Sequence, residues 1–76
     1  MPHIIVKMHS GRSEAQKSRL AEELSKTVMA VLKLGEASVS VAIEDVRPED
    51  WADKVYRPDI LGNPDRIYKK PGYRPH

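Results

Sequence analysis

The sequence predicts an α/β (α+β) fold: a single βαβ unit with parallel strands, a long crossover helix and an irregular C-terminal tail. Three observations carry that prediction. The opening run PHIIVKMH has the two-residue alternation of a strand. The stretch EAQKSRLAEELSKTVMAVLKL contains neither Gly nor Pro and repeats Leu20, Leu24, Val28, Val31 and Leu32 at helical spacing. ASVSVAIEDV then alternates again. Strand, long helix and strand with short connections form a unit whose strands run parallel across a right-handed crossover.

Each element has its own justification. In the first strand, Pro2, Ile4, Val6 and Met8 share one face, and His3, Ile5, Lys7 and His9 the other. Ile5 makes that second face partly apolar, as expected where a neighbour or a subunit covers it. Ser13 with Gln16 three residues on has the form of a capping box, so the helix starts there. It is expected over about residues 14 to 34, with Gly35 as the residue that ends it and Glu22–Lys26 as an ion pair on the wet face. In the second strand Val39, Val41 and Ile43 oppose Ser40, Ala42 and Glu44. From Arg47 onward RPEDW reads as a turn or short helical turn. Pro58, Pro64, Pro71 and Pro75 with Gly62 and Gly72 then break the tail into short pieces. DRIYKKPGY is expected to add a short terminal helix or strand. The whole chain, 1–76, is read as one domain with a core of about 2–46 and a tail of about 47–76.

Composition narrows the function. A chain of 76 residues buries too small a fraction of its surface to be comfortably stable alone. It has no cysteine, which removes disulfides and thiolate metal sites as stabilisers and leaves oligomerisation. A two-stranded sheet under one helix cannot close its own core, so the sequence asks for a partner subunit that extends the sheet. No apolar run reaches transmembrane length and the N-terminus lacks a signal-peptide stretch, so a cytoplasmic protein without a membrane partner is expected. A net charge of +2 is too weak to imply nucleic acid.

The candidate chemistry is sparse. His3, His9 and His76 are too scattered for a metal cluster, and no metal site is expected. No Gly-rich phosphate loop, nucleophile elbow or other cofactor motif is present. Arg66, Lys69, Lys70 and Arg74, interleaved with Tyr68 and Tyr73, read better as solvated or subunit-contacting surface than as a grip on phosphates. Three residues remain. Pro2 has a bland reading as the first residue of a strand, since it has no N–H for a ladder. If Met1 is removed, however, Pro2 displays a secondary amine, which a low-dielectric pocket turns into a base near neutral pH. Arg12, alone an ordinary surface arginine, can bind a carboxylate bidentately. Trp51, the single tryptophan, can wall a dry site. Base, guanidinium and aromatic wall fit one chemistry.

With these residues in place, the chain resembles the 4-oxalocrotonate tautomerase family, within the superfamily that includes macrophage migration inhibitory factor. The resemblance rests on the amino-terminal proline, GRS-x-x-QK at the helix start, the long helix and the SVxV second strand, from Pro2 to about Val46. RPEDW and KKPGY are similar to the small dimeric bacterial branch that acts on phenylpyruvate-type enols. The resemblance implies a keto–enol isomerase without a cofactor. In it Pro2 is the catalytic proline, Arg12 binds the substrate carboxylate and Trp51 lines the pocket. It also implies a homo-oligomer, a dimer favoured over a hexamer built as a trimer of dimers. One position departs: Ser40 stands where the family carries its second active-site arginine. The loss of that cation points away from dicarboxylates and towards a small 2-keto or enol monocarboxylic acid. Dehalogenases or decarboxylases of the superfamily, which use the proline as an ammonium acid, are the alternative. A non-catalytic binding protein is the other, if Met1 is retained, and a nucleic-acid module is the least favoured.

Overall fold

The structure, a computed structural model, describes residues 1–74. The chain separates into two compact units, Met1–Asp45 and Val46–His76.

The first unit holds β1 (His3–His9), α1 (Glu14–Leu32) and β2, which spans Ser40–Val46 and runs across the boundary. β1 and β2 are adjacent parallel strands of a two-stranded sheet, joined through α1 as a βαβ unit. Ile4, Val6 and Met8 are half-buried on one face of β1, whereas Ile5 on the other face stays 52 % exposed. Gly11, at φ 116°, makes the turn out of β1, a backbone conformation that L side chains rarely adopt.

Ser13 starts α1 as its sequence indicated. The hydroxyl accepts from the Gln16 N–H at 3.1 Å, and the Gln16 side chain accepts from the Ser13 N–H at 3.0 Å. Lys17 on α1 pairs with Asp45 on β2 at 2.6 Å, tying the helix to the sheet, and Lys26 pairs with Glu22 at 3.4 Å. The end of α1 differs from expectation. The helix stops at Leu32, and Lys33, not Gly35, takes the left-handed conformation (φ 57°, ψ 55°). The Leu34 N–H then reaches back to the Met29 carbonyl at 3.1 Å, the six-residue closure of a Schellman motif. That closure satisfies an orphan helix carbonyl, which offsets the cost of a side chain in the left-handed region. A short 3₁₀ turn, Glu36–Ser38, leads into β2, which is therefore shorter than the alternation suggested.

No residue of β1, α1 or β2 is buried. Val31 and Leu32, expected on the apolar face of the helix, are 71 % and 55 % exposed.

The second unit corrects the reading of the tail. After a 3₁₀ turn at Pro48–Asp50, a π-helical segment, Ala52–Leu61, continues through Pro58 where a break was expected. Proline lacks an N–H, and its ring meets the carbonyl four residues back in an α-helix. The wider π turn, with bonds five residues apart, is an arrangement in which that conflict is relieved. The Gly62 N–H closes such a turn onto the Arg57 carbonyl at 2.8 Å, and the Asn63 side-chain amide donates to the Pro58 carbonyl at 2.9 Å. Asp53 and Arg57 form an ion pair one turn apart. Val55, on this segment, is the one buried apolar residue among those described, 5 % exposed. Beyond a 3₁₀ turn at Pro64–Arg66, the terminal helix or strand expected in DRIYKKPGY does not form among the described residues. Pro75 and His76 lie outside them.

Candidate active site

Pro2 stands just ahead of β1 and is half-buried. Lacking an N–H, it joins the sheet through its carbonyl, which accepts the Ser40 N–H at 3.2 Å. The two strand starts are thereby held together at the amino-terminal end of the sheet. A second bond reinforces them: His3 Nδ1 lies 2.7 Å from Ser40 Oγ. Pro2, His3 and Ser40 therefore form one cluster. Of the residues that the sequence singled out, the structure brings Pro2 and Ser40 together.

Arg12 is elsewhere. It follows Gly11 in the exposed turn between β1 and the Ser13 cap, and it makes no hydrogen bond or ion pair among the described residues. The seven residues of β1 span about 20 Å, so Pro2 and Arg12 occupy opposite ends of the strand. The lysine of the GRS-x-x-QK stretch, Lys17, is not a free cation. Its hydrogen bond to Asp45 outweighs its partial desolvation and holds its ammonium pKa above the ordinary lysine value.

Trp51 belongs to the second unit. Its indole N–H donates to the Tyr73 hydroxyl at 2.8 Å, and Tyr73 meets Tyr56 with ring centroids 5.8 Å apart at a 44° tilt. Tyr56 and Tyr73 also line a cavity of about 330 Å³, with Ile60, Ile67, Lys70 and Arg74 among its other walls. Ahead of Trp51, Asp50 accepts from Arg47 at 2.9 Å. That bond, against the opposing effect of burial, keeps its carboxyl below the usual carboxylate range. Among the described residues no group of three or more His, Asp or Glu side chains is placed to hold a metal ion. No helix among them is long and apolar enough to cross a membrane.

Sequence reasoning set His3 aside as one of three scattered histidines. Its pairing with Ser40 depends on the register of two parallel strands 37 residues apart in the chain. The alternation within one strand carries no signal of that register.

The profile of the family described as Tautomerase enzyme matches residues 2–55, from Pro2 through Trp51 to Val55. The chain belongs to the tautomerase family. It is an isomerase of that class. A probable tautomerase from Xylella fastidiosa (strain 9a5c) is 52 % identical over 73 residues, covering 96 % of this chain and 89 % of the relative. Tautomerase PptA from Cronobacter sakazakii (strain ATCC BAA-894) is 42 % identical over 74 residues, covering 96 % and 97 %. Two crystal structures share the fold. TomN, described as a 4-oxalocrotonate tautomerase homologue in the tomaymycin biosynthetic pathway, superposes with a TM-score of 0.64 at 32 % identity, covering 66 % of this chain and 77 % of TomN. YwhB, a homologue of 4-oxalocrotonate tautomerase, gives 0.60 at 34 % identity, covering 62 % and 77 %. The matched span contains Pro2, Arg12, Ser40 and Trp51, and the two crystal structures share the βαβ fold with this chain.

Proposed function

We propose that the protein interconverts the enol and keto forms of a small 2-keto carboxylic acid without a cofactor, with the amine of Pro2 as its base once Met1 is removed. The observation that carries this reading is the placement of Pro2: first in the family-matched span, half-buried, and pinned through its carbonyl to Ser40. A neutral secondary amine there takes the proton of the enol hydroxyl, and the resulting ammonium returns it to carbon. Burial and nearby cations lower the pKa of such an amine from the ordinary value of about 8. Arg12 holds the substrate carboxylate and steadies negative charge on the neighbouring oxygen. Trp51 supplies an aromatic wall. Ser40 replaces a cation with a hydroxyl, which favours a monocarboxylate such as phenylenolpyruvate.

Arg12 stands too far along β1 to serve the Pro2 of its own chain, so it reaches the Pro2 of a neighbouring subunit. The sheet has only two strands, and Ile5, Val31 and Leu32 are left exposed, which supports the same conclusion. The assembly is a homodimer that joins two βαβ units into one four-stranded sheet, with a hexameric trimer of dimers as the runner-up.

The test compares two preparations distinguished by intact mass, one beginning at Pro2 and one retaining Met1. Ketonisation of phenylenolpyruvate by the first and a loss of about 10²–10⁴-fold in the second is expected, because an amide nitrogen has no basic lone pair. Equal activity of the two would remove Pro2 as the base. Halide release from a 3-halopropenoate in place of ketonisation would favour the dehalogenase reading.

A further inference from the structure

Ser40, a residue without charge, adjoins Pro2, and the proposed reaction develops negative charge on a substrate oxygen. The side chain that Ser40 holds answers that need. The geometry points to His3 as a second catalytic residue, one that donates a hydrogen bond from Nε2–H to the substrate oxygen while the Pro2 amine moves the proton. This inference rests on Pro2 being the base.

His3 Nδ1 and Ser40 Oγ are in contact at 2.7 Å. A serine hydroxyl can donate to an imidazole nitrogen, and when it does so at Nδ1 the ring proton of the neutral imidazole resides on Nε2. The contact fixes the ring, as an outer partner does for a functional histidine elsewhere, and in the proposed tautomer Ser40 donates and Nε2 carries the proton. The same residue pins the neighbouring Pro2 carbonyl through its N–H at 3.2 Å. One residue thus orients both the segment that bears the base and the donor next to it. His3 is exposed, so its outer edge is open to a ligand. It also directly follows Pro2, which places its backbone as near the amine as a chain allows. In the step itself the enol O–H bond breaks and its proton goes to the Pro2 nitrogen. The carbon then takes the proton from the ammonium. His3 transfers nothing; its N–H bond lengthens towards the oxygen and recovers. A neutral donor in place of a cation also suits a substrate with one carboxylate, since that single charge is already held by Arg12.

The experiment uses protein shown by mass to begin at Pro2, with phenylenolpyruvate as the probe. His3→Phe keeps the bulk of the ring and loses the donor, and kcat is expected to fall at least tenfold with KM within about threefold, the pattern of a contact made in the transition state. His3→Gln, whose amide can present an N–H near the Nε2 position, should recover part of that loss. Ser40→Ala should lower kcat less than His3→Phe. The double variant His3→Phe/Ser40→Ala should be no slower than His3→Phe alone, because Ser40 acts through the ring. If His3→Phe is folded by circular dichroism and its kcat lies within twofold of the parent, His3 is not a donor and the base assignment of Pro2 stands untouched. A parent protein that starts at Pro2 and has no enol–keto activity overturns the base assignment and this inference with it. A double variant slower than either single one would give Ser40 a role of its own and contradict the coupling.

Discussion

The two units of the chain invert the usual relation between regularity and burial. Met1–Asp45 contains β1, the α-helix and all of β2 but Val46, its helix starts on a capping box, and none of its residues is buried. Val46 onward has 3₁₀ turns and a π-helical segment through a proline, yet it holds the one buried apolar side chain among the described residues. Regular backbone therefore does not by itself mark where a chain is closed. The first unit leaves Ile5, Val31 and Leu32 exposed and has no buried residue of its own. The second is held by specific close contacts that no periodicity describes.

Substitutions can sharpen that contrast. The largest effect is expected at Arg12, in the first unit. Arg12→Ala should raise KM for phenylenolpyruvate about tenfold or more and change kcat less, since a carboxylate contact is made alike in ground and transition states. Mixing this variant with protein whose Pro2 amine is blocked should restore activity above that of either alone, if Arg12 serves its neighbour. Strict additivity of the two residual rates would place Arg12 in its own chain's site or in none.

In the second unit the sensitive point is Gly62. A methyl group built there would lie 2.6 Å from the Pro58 carbonyl oxygen and 3.1 Å from that of Arg57. Gly62→Ala should cost about 2 kcal/mol in denaturant unfolding, through overpacking and not through backbone preference, because its φ of −74° is open to any residue. Local rules in the first unit carry smaller increments. Ser13→Ala removes the hydroxyl half of the capping box and should cost about 1 kcal/mol. Lys33→Gly works in the opposite direction, relieving a left-handed residue, and should raise stability by up to about 1 kcal/mol. Gly62→Ala costing less than Ser13→Ala would reverse the contrast between the units.

These positions also show what the sequence made legible. The start of α1 was readable because Ser13 and Gln16 meet within one turn, and the alternation in PHIIVKMH places Ile4, Val6 and Met8 together. The helix end was misread because a Schellman closure depends on a bond from Leu34 to Met29, which composition does not announce, and glycine was the default choice. Pro58 reads as a break in the sequence because the rule against proline is written for the α-helix, not for a wider turn. Among the site residues, the types at positions 2, 12 and 51 pointed to a base, a carboxylate anchor and a wall, and the family resemblance alone marked Ser40 as standing where a cation is expected. What was not legible is which of them meet. The placing of His3 on Ser40, and of Arg12 a strand's length from Pro2, follows from strand register and from the length of β1.

The account depends most on the amine of Pro2, and one measurement addresses it directly: the pH dependence of phenylenolpyruvate ketonisation by protein verified to start at Pro2, before and after its amine is selectively acylated. Only the neutral amine accepts a proton, so the rate should rise with pH through a titration below the ordinary α-amino value of about 8. Acylation should lower that rate by about 10²–10⁴-fold and abolish the titration. Activity that survives acylation with its pH profile unchanged would contradict the account.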